Sequence, residues 1–304
     1  MRIASLLASA TETVCVLGLA DRLVAISHEC DYPAHVLDRP RVSRPRFDPA
    51  GLTGGGIDTA VRQALATHGS VYAVDQARLR AAAPDLILTQ AVCDVCAVPT
   101  SLAEEAACAL DGEARVVSLD AHTVEGILES VLTVGEIAGV GARAASVVQG
   151  LRDRMDAVRV AVRGTPRPGV VALEWLEPLF APGHWVPEMV EIAGGRNLLG
   201  SAADRSREAT WDAVATLDPD VLVVMPCGYG LAEAQAEADR HADRLREIAP
   251  RAVAGGRAWV VDGSSYFNRS GPRIVDGIEI LAALLHPDRM TGVSLKGRAE
   301  TWNG

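Results

Sequence analysis

The sequence predicts an α/β protein with two Rossmann-like lobes of parallel sheet that are joined by one long helix. Three observations support this fold class. Short apolar runs alternate with helix-like segments along the 304 residues, which is typical of parallel α/β sheets. One sequence pattern occurs twice, at 79–88 and at 214–223, about 135 residues apart. In both places a helix end is followed by Pro-Asp and then by a strand. Between them, residues 123–163 keep a helical apolar periodicity.

The strands are predicted from short runs that are rich in Val, Ile and Leu. They fall at 2–5, 23–27, 85–89, 115–119, 169–173, 220–225 and 258–261. The first helix is expected to begin with a capping box, in which Ser9 caps the first turn and Glu12 reaches back. Gly18 is expected to end that helix in the left-handed conformation. The three glycines at 54–56 predict a flexible loop.

The domain boundaries follow from the long helical stretch. Gly139 and Gly141 are expected to divide it into two helices, and the composition of 164–168 is that of a linker. The predicted organisation is an N-terminal α/β lobe at 1–135, an interlobe helix at 136–164, a C-terminal α/β lobe at 165–290 and a polar tail at 291–304.

Composition excludes several classes of protein. Almost half of the residues are apolar, which indicates a globular chain. The net charge of −10 disfavours nucleic-acid binding, because phosphate neutralisation needs clustered positive charge. The N-terminus lacks the long apolar stretch of a secretory signal, so we expect a cytoplasmic protein, or an extracytoplasmic one if a preceding segment has been removed. In a reducing cytosol, its six cysteines are expected to be thiols or metal ligands.

Four cysteines directly follow predicted strands, at the sheet edge where open α/β folds bind ligands. His28 and Cys30 follow one strand, Cys93 and Cys96 follow another, and Cys227 follows a strand of the second lobe. The first four could form a tetrahedral site, since imidazole and thiolate ligands select zinc, copper or iron–sulfur clusters. Cys227 is a further possible ligand. Alternatively, the C-x-x-C pair is an incidental or redox-labile pair of thiols.

Five segments resemble the vitamin B12-binding proteins of ABC transporters, within the helical-backbone metal-receptor group. These segments are 3–12 (IASLLASATE), 19–33 (LADRLVAISHECDYP), 83–88 (APDLIL), 182–198 (PGHWVPEMVEIAGGRNL) and 264–274 (SSYFNRSGPRI). The resemblance implies that the joining helix is rigid and that the ligand cleft lies between the lobes. It covers nearly the whole chain and is more specific for the fold than for the ligand, since relatives carry B12, haem, iron chelates and bare metals.

By this resemblance, aromatic and polar side chains are expected to line the cleft. The positions are Tyr32, Glu174, Trp175, Phe180, Trp185, Tyr266, Phe267, Asn268 and Arg269. Aromatic rings offer stiff apolar surface to a flat macrocycle, and Asn and Arg can meet its amide rim. His184, in a Gly-Pro-rich loop, is a further candidate for contact with the ligand.

The resemblance also implies an ABC transporter permease as partner, docked by one carboxylate on each lobe. Asp212 fits the second lobe, but Ala77, with Asp75 nearby, takes the first-lobe position, which weakens this expectation.

The main hypothesis is a monomeric, non-enzymatic protein that binds a corrinoid or related metal complex. A second hypothesis is a zinc or copper sensor or carrier that uses the His28, Cys30, Cys93 and Cys96 set. A third is a thiol-dependent enzyme that acts on a cobalt or iron complex. Catalysis has little support in the sequence, because Glu174 is a single carboxylate without a partner.

Overall fold

The computed structural model describes residues 1–92, 98–110 and 114–304. The chain divides into two compact units. The N-terminal unit comprises Met1–Ala121, Glu125–Gln149 and Ser270–Pro272, and the C-terminal unit comprises His122–Val124, Gly150–Arg269 and Arg273–Gly304.

The N-terminal unit is built on a parallel sheet of four strands in the order β2-β1-β5-β6, beside a two-stranded antiparallel ladder of β3 and β4. The strands are β1 (Ile3–Ser5), β2 (Leu23–Ala25), β3 (Ser43–Pro45), β4 (Tyr72–Val74), β5 (Leu86–Thr89) and β6 (Arg115–Ser118). The helices that begin in this part of the chain are α1 (Ala8–Val16), α2 (Gly54–His68), α3 (Gln76–Ala82), α4 (Thr100–Cys108), α5 (Val124–Ile137) and α6 (Gly141–Ala161). Short 3-10 turns lie at Ala20–Arg22 and Ala34–Val36.

The structure confirms some of the local predictions made from the sequence of this unit and contradicts others. Helix α1 begins one residue before the predicted capping box and has no side-chain cap, because the Ser9 hydroxyl pairs with that of Ser270 at 3.3 Å instead. Gly18 follows the helix at φ +69°, as predicted. The glycine-rich segment is not a loop: α2 starts at Gly54, capped by the Thr53 hydroxyl, which accepts a hydrogen bond from the Gly56 N–H.

The C-terminal unit contains a five-stranded sheet in the order β10-β7-β12-β13-β14, parallel except for β14. A second, antiparallel sheet has the order β11-β9-β8. The strands are β7 (Gly169–Leu173), β8 (Trp175–Leu176), β9 (Leu179–Ala181), β10 (Arg196–Asn197), β11 (Arg207–Glu208), β12 (Val221–Val224), β13 (Ala258–Val261) and β14 (Ala299–Thr301). The helices are α7 (Val186–Ile192), α8 (Trp211–Ala215), α9 (Leu231–Arg240), α10 (Ala242–Ile248), α11 (Pro250–Ala254), α12 (Gly263–Tyr266) and α13 (Ile274–Leu285).

Each unit has a buried apolar core against its parallel sheet. The central strand β7 is buried along its whole length and pairs with β12 in register from Val170 to Leu173. Such continuous apolar runs are typical of strands that are covered on both faces. All seven predicted strands are present, with ends that differ by at most two residues.

The sequence had suggested that the C-terminal segment is a polar tail. The structure shows that it is not. Its strand β14 pairs with β13, and the Trp302 side chain is only 1% exposed. The Trp302 indole N–H donates a hydrogen bond to the Asp239 carboxylate at 2.9 Å. This segment therefore completes the sheet and core of the C-terminal unit.

The predicted helical stretch forms two helices, as expected. Helix α5 ends at Ile137, Gly139 adopts φ +73°, and α6 begins at Gly141. The division between the units falls inside α6, between Gln149 and Gly150. Among the residues that the structure describes, no helix is both long and apolar enough to cross a membrane.

Candidate functional site

The parallel strands β7 and β12 place several predicted site residues at one edge of the C-terminal unit. Glu174 and Trp175 follow β7, and Cys227 follows the neighbouring β12. The Cys227 N–H donates to the Glu174 carbonyl at 3.0 Å, which joins the two strand ends. We call Glu174, Trp175, Cys227 and Tyr229 the strand-end cluster. All four side chains are partly exposed.

Glu174 is held in an environment that disfavours its charge. Burial raises the pKa of its carboxyl to about 6, although hydrogen bonds from the Ser206 hydroxyl and the Gly183 backbone act in the opposite direction. The Ser206 hydroxyl donates to Glu174 Oε2 at 2.7 Å and accepts from the Gly183 N–H at 3.1 Å. A Cβ at Gly183 would lie 2.4 Å from the Asp204 carbonyl oxygen, so only glycine allows this close approach.

Two aromatic rings form the apolar part of the strand-end cluster. The rings of Trp175 and Tyr229 have centroids 5.2 Å apart and a tilt of 59°, within the range of favourable aromatic pairs. The Trp175 indole N–H donates to the Glu177 carbonyl at 2.9 Å, which fixes the ring. Phe180, on the paired strand β9, is also partly exposed. Sequence reasoning missed Tyr229, although it stands two residues after Cys227 at a strand end.

The segment 266–269 is only partly available at the surface. The Tyr266 ring has two guanidinium groups within cation–π distance, those of Arg273 at 5.5 Å and Arg298 at 5.3 Å. The Arg269 guanidinium donates to the Ser264 hydroxyl at 3.1 Å. The Asn268 Oδ1 atom is buried and lacks a hydrogen-bond partner among the residues described.

Two of the predicted cleft aromatics are interior side chains. Phe267 is fully buried, and Trp185 is buried with its indole N–H donating to the Phe267 carbonyl at 2.7 Å. Both rings are large and apolar, so core packing accounts for their placement. They do not offer exposed ring surface to a macrocycle, contrary to the expectation from the sequence.

In the N-terminal unit, the loop after β2 is held by its own hydrogen bonds. The Ser43 hydroxyl lies 2.8 Å from His28 Nδ1 and accepts from the His28 N–H at 3.1 Å. The Arg41 guanidinium donates to the carbonyls of Ser27, His28 and Cys30 at 2.7–3.0 Å. Burial, followed by the charge of Arg41, lowers the pKa of His28 to about 4.

The thiol of Cys30 lies below the surface. Cys30 is 1% exposed, and its sulfur lies 3.1 Å from the Thr11 hydroxyl. Burial, together with Cys30 and Glu12, raises the pKa of the nearby Cys15 thiol to about 11, so that thiol stays protonated at neutral pH. Tyr32, two residues beyond Cys30, is 49% exposed.

The four-ligand metal site stays a prediction. Cys93 and Cys96 lie outside the described residues. Within the described part of the chain, no three His, Cys, Asp or Glu side chains are grouped so that they could hold a metal ion.

His184 lies in the loop before α7, beside the imidazole of His122. Its ring centroid is 5.5 Å from that of His122 and 5.6 Å from that of Trp185. Burial, then the charges of His122 and Arg205, lowers the pKa of His184. Both histidines belong to the C-terminal unit and are partly buried.

Comparison with known proteins agrees with this architecture. Residues 3–250 match the family described as periplasmic binding protein. The chain belongs to this family. An uncharacterised ABC transporter substrate-binding lipoprotein of Bacillus subtilis is 23% identical over 296 residues, which covers 94% of this chain and 80% of the relative. A cobalamin-binding protein of Halobacterium salinarum is 26% identical over 179 residues, covering 55% of this chain and 45% of that protein.

Solved structures of the family share the fold. The periplasmic vitamin B12-binding protein of Vibrio cholerae superposes with a TM-score of 0.68 at 19% identity, over 93% of this chain and 96% of that one. A periplasmic heme-binding protein of Pseudomonas aeruginosa gives 0.65 at 23% identity, over 95% and 93%. The two-lobe α/β fold and the family inferred from the sequence are confirmed.

Proposed function

We propose that this chain is a substrate-binding protein for a metal complex of the corrinoid or tetrapyrrole class, which it delivers to an ABC transporter permease. The observation that carries the proposal is the strand-end cluster, where the Trp175–Tyr229 aromatic pair, Glu174 and Cys227 follow the carboxyl ends of β7 and β12. Ligands of open α/β folds bind at this edge of the sheet.

The chemistry of the cluster suits a flat, amide-rimmed macrocycle. The two rings provide a rigid apolar surface that loses little conformational entropy on binding. Glu174, with its pKa near 6, can accept hydrogen bonds as a carboxylate and can donate one when protonated. Cys227 adds a partly exposed thiol at the same edge, which is a ligand type that cobalt and iron accept.

The relatives support this class of ligand. Proteins similar to this chain are named for cobalamin, which is vitamin B12, and for heme. Both are large, metal-centred macrocycles. The transporter partner is supported by the similarity to an ABC transporter substrate-binding lipoprotein.

The test is a titration of the purified protein with cobalamin, cobinamide and hemin, followed by calorimetry and visible spectroscopy. We expect saturable binding of at least one of these at one equivalent. Trp175→Ala should weaken it by about 5- to 150-fold, since loss of a stacked aromatic contact costs about 1–3 kcal/mol. Trp211→Ala is the matched control, because Trp211, in α8, is a partly buried tryptophan that stacks on His241 instead.

Two results would overturn the proposal. One is that none of the three macrocycles binds at concentrations that saturate the relatives. The other is that Trp175→Ala binds as tightly as the Trp211→Ala control, in which case the strand-end cluster does not contact the ligand.

A further inference from the structure

The C-terminal unit contains a pair of histidines that the proposed function does not use. The imidazole rings of His122 and His184 have centroids 5.5 Å apart and planes inclined by 38°. The two residues are far apart in sequence, on the segment 122–124 and on the loop that precedes α7.

The separation of the rings matches that of two imidazoles that share one metal ion. A Zn–N distance of about 2.0–2.1 Å, with each nitrogen about 1.1 Å from its ring centroid and an angle of about 110–120° at the metal, places the centroids about 5.2–5.5 Å apart. The observed centroid distance of 5.5 Å lies at the upper end of this range.

The backbone fixes the His184 ring in this position. His184 adopts φ +52°, in the left-handed region that residues other than glycine rarely occupy. Its N–H donates to the Asp204 carbonyl at 2.6 Å, and its carbonyl accepts from the Ala203 N–H at 2.9 Å. A strained residue that is held on both sides is typical of a functional position.

The segment that carries His122 is held against the same helix. Glu188, in the first turn of α7, accepts a hydrogen bond from the Val124 N–H at 2.8 Å. His122 lies two residues before Val124 and His184 lies two residues before α7, so this bond ties the two histidine-bearing segments to the same helix.

His184 also has an unused ligand atom. Its Nδ1 is buried and has no hydrogen-bond partner among the described residues. A buried polar atom without a partner costs free energy, and imidazole nitrogen is a common ligand for zinc, copper and nickel. We propose that His122 and His184 form a binding site for one divalent transition-metal ion of this class, with ligands that belong neither to the strand-end cluster nor to the predicted cysteine site.

The site supplies two protein ligands. Among the described residues, no third His, Cys, Asp or Glu completes a group of three, so water or a donor atom from a small molecule takes the remaining positions. Open positions of this kind are typical of metal sites that exchange ligands. The inference stands on these two residues alone and does not depend on the proposed macrocycle.

The test is a Zn²⁺ titration against a chromophoric chelator, with His122→Ala, His184→Asn and the double variant. Asparagine tolerates positive φ, so His184→Asn keeps the backbone while it removes the imidazole. Outer-sphere substitutions already weaken metal sites by about 10- to 100-fold, so we expect each single variant to bind at least about tenfold more weakly. The double variant, which loses both imidazole ligands, should bind more weakly than either single variant. His35→Ala, at an exposed histidine, should bind as the wild type does.

Three further measurements distinguish metal binding by the histidines from metal binding by the thiols and from an effect of misfolding. The titration is repeated on a Cys93→Ser, Cys96→Ser background, where the loss caused by the histidine variants should persist. Electron paramagnetic resonance of the Cu²⁺-loaded wild type should show coupling to two imidazole nitrogens, and to one fewer in each single variant. Circular dichroism of the metal-free variants checks that they fold.

Wild-type protein that binds no Zn²⁺ at 100 μM would overturn the proposal. So would unchanged affinity in both folded single variants, or a Zn²⁺ affinity that disappears entirely with Cys93 and Cys96 alone.

Discussion

Both units place thiols and ionisable residues after strands of their parallel sheets, yet the structure uses them differently. After β2, the imidazole of His28 pairs with Ser43, and the Cys30 thiol is buried beside Thr11. After β7 and β12, the Glu174 carboxyl is held by the Ser206 hydroxyl, but Cys227 stays partly exposed at the edge that carries an aromatic pair. A thiol at a strand end therefore indicates a candidate binding site only where the fold leaves it accessible.

The largest effect is expected from the loop after β2. Arg41→Ala removes a guanidinium that donates to three carbonyls. Hydrogen bonds to charged groups contribute about 1.5–3 kcal/mol each, and water replaces part of this, so we expect a loss of about 2–3 kcal/mol in the free energy of unfolding. Urea denaturation measures it, and Arg44→Ala, at an exposed arginine, is the matched control. An equal, small effect of both variants would mean that Arg41 does not organise this loop.

The next effect concerns Glu174 and depends on pH. Its carboxyl titrates near 6 in the folded protein against an ordinary value of 4.5, so the folded state binds more protons between these values. The contribution of Glu174 to the free energy of unfolding should therefore fall by about 1–2 kcal/mol as pH rises through this window, while His28, with its pKa lowered to about 4, contributes in the opposite direction.

Glu174→Gln should remove this fall, because its amide oxygen can still accept the Ser206 hydrogen bond but does not ionise. Denaturation of both proteins at about pH 4.5 and about pH 7 measures the difference. Glu177→Gln, at an exposed glutamate, should behave as the wild type does. A pH dependence that is the same in all three proteins would show that Glu174 ionises as an exposed carboxyl does.

The smallest effect is expected at Ser43, whose hydroxyl bridges His28 and Ser27. Ser43→Ala leaves the His28 N–H and Nδ1 without this partner and should cost about 1 kcal/mol. Chemical denaturation detects the loss, with the exposed Ser201→Ala as control. If Ser43→Ala proved neutral, water would serve His28 equally well, and the contrast between the two strand ends would weaken.

Much of the fold was predictable from the sequence because its signals are local. Buried strands in parallel sheets are continuous apolar runs, and β7 and β13 have the predicted bounds. The errors arose where tertiary contacts decide the outcome. The Ser9 hydroxyl pairs with the distant Ser270 and does not cap its own helix. The Trp302 side chain is buried in the core, although the residues next to it in the sequence are polar.

The candidate site was harder to predict than the fold. Glu174, Trp175 and Cys227 were identified from their places after strands or by resemblance, but Tyr229 was missed because a tyrosine in a loop carries no periodic signal. Trp185 and Phe267 were named by resemblance, and the structure buries both large apolar rings in the core. Exposure, which separates a ligand contact from a packing residue, depends on neighbours that are distant in sequence.

The most direct test of the central claim is amide hydrogen exchange, followed by mass spectrometry, with and without saturating cobalamin. If the strand-end cluster holds the macrocycle, exchange should slow in peptides that cover 174–181 and 226–230. It should stay unchanged in 43–46, within the loop and ladder of the N-terminal unit that its own hydrogen bonds hold. Unchanged exchange at 174–181 and 226–230 in the presence of bound cobalamin would contradict the account.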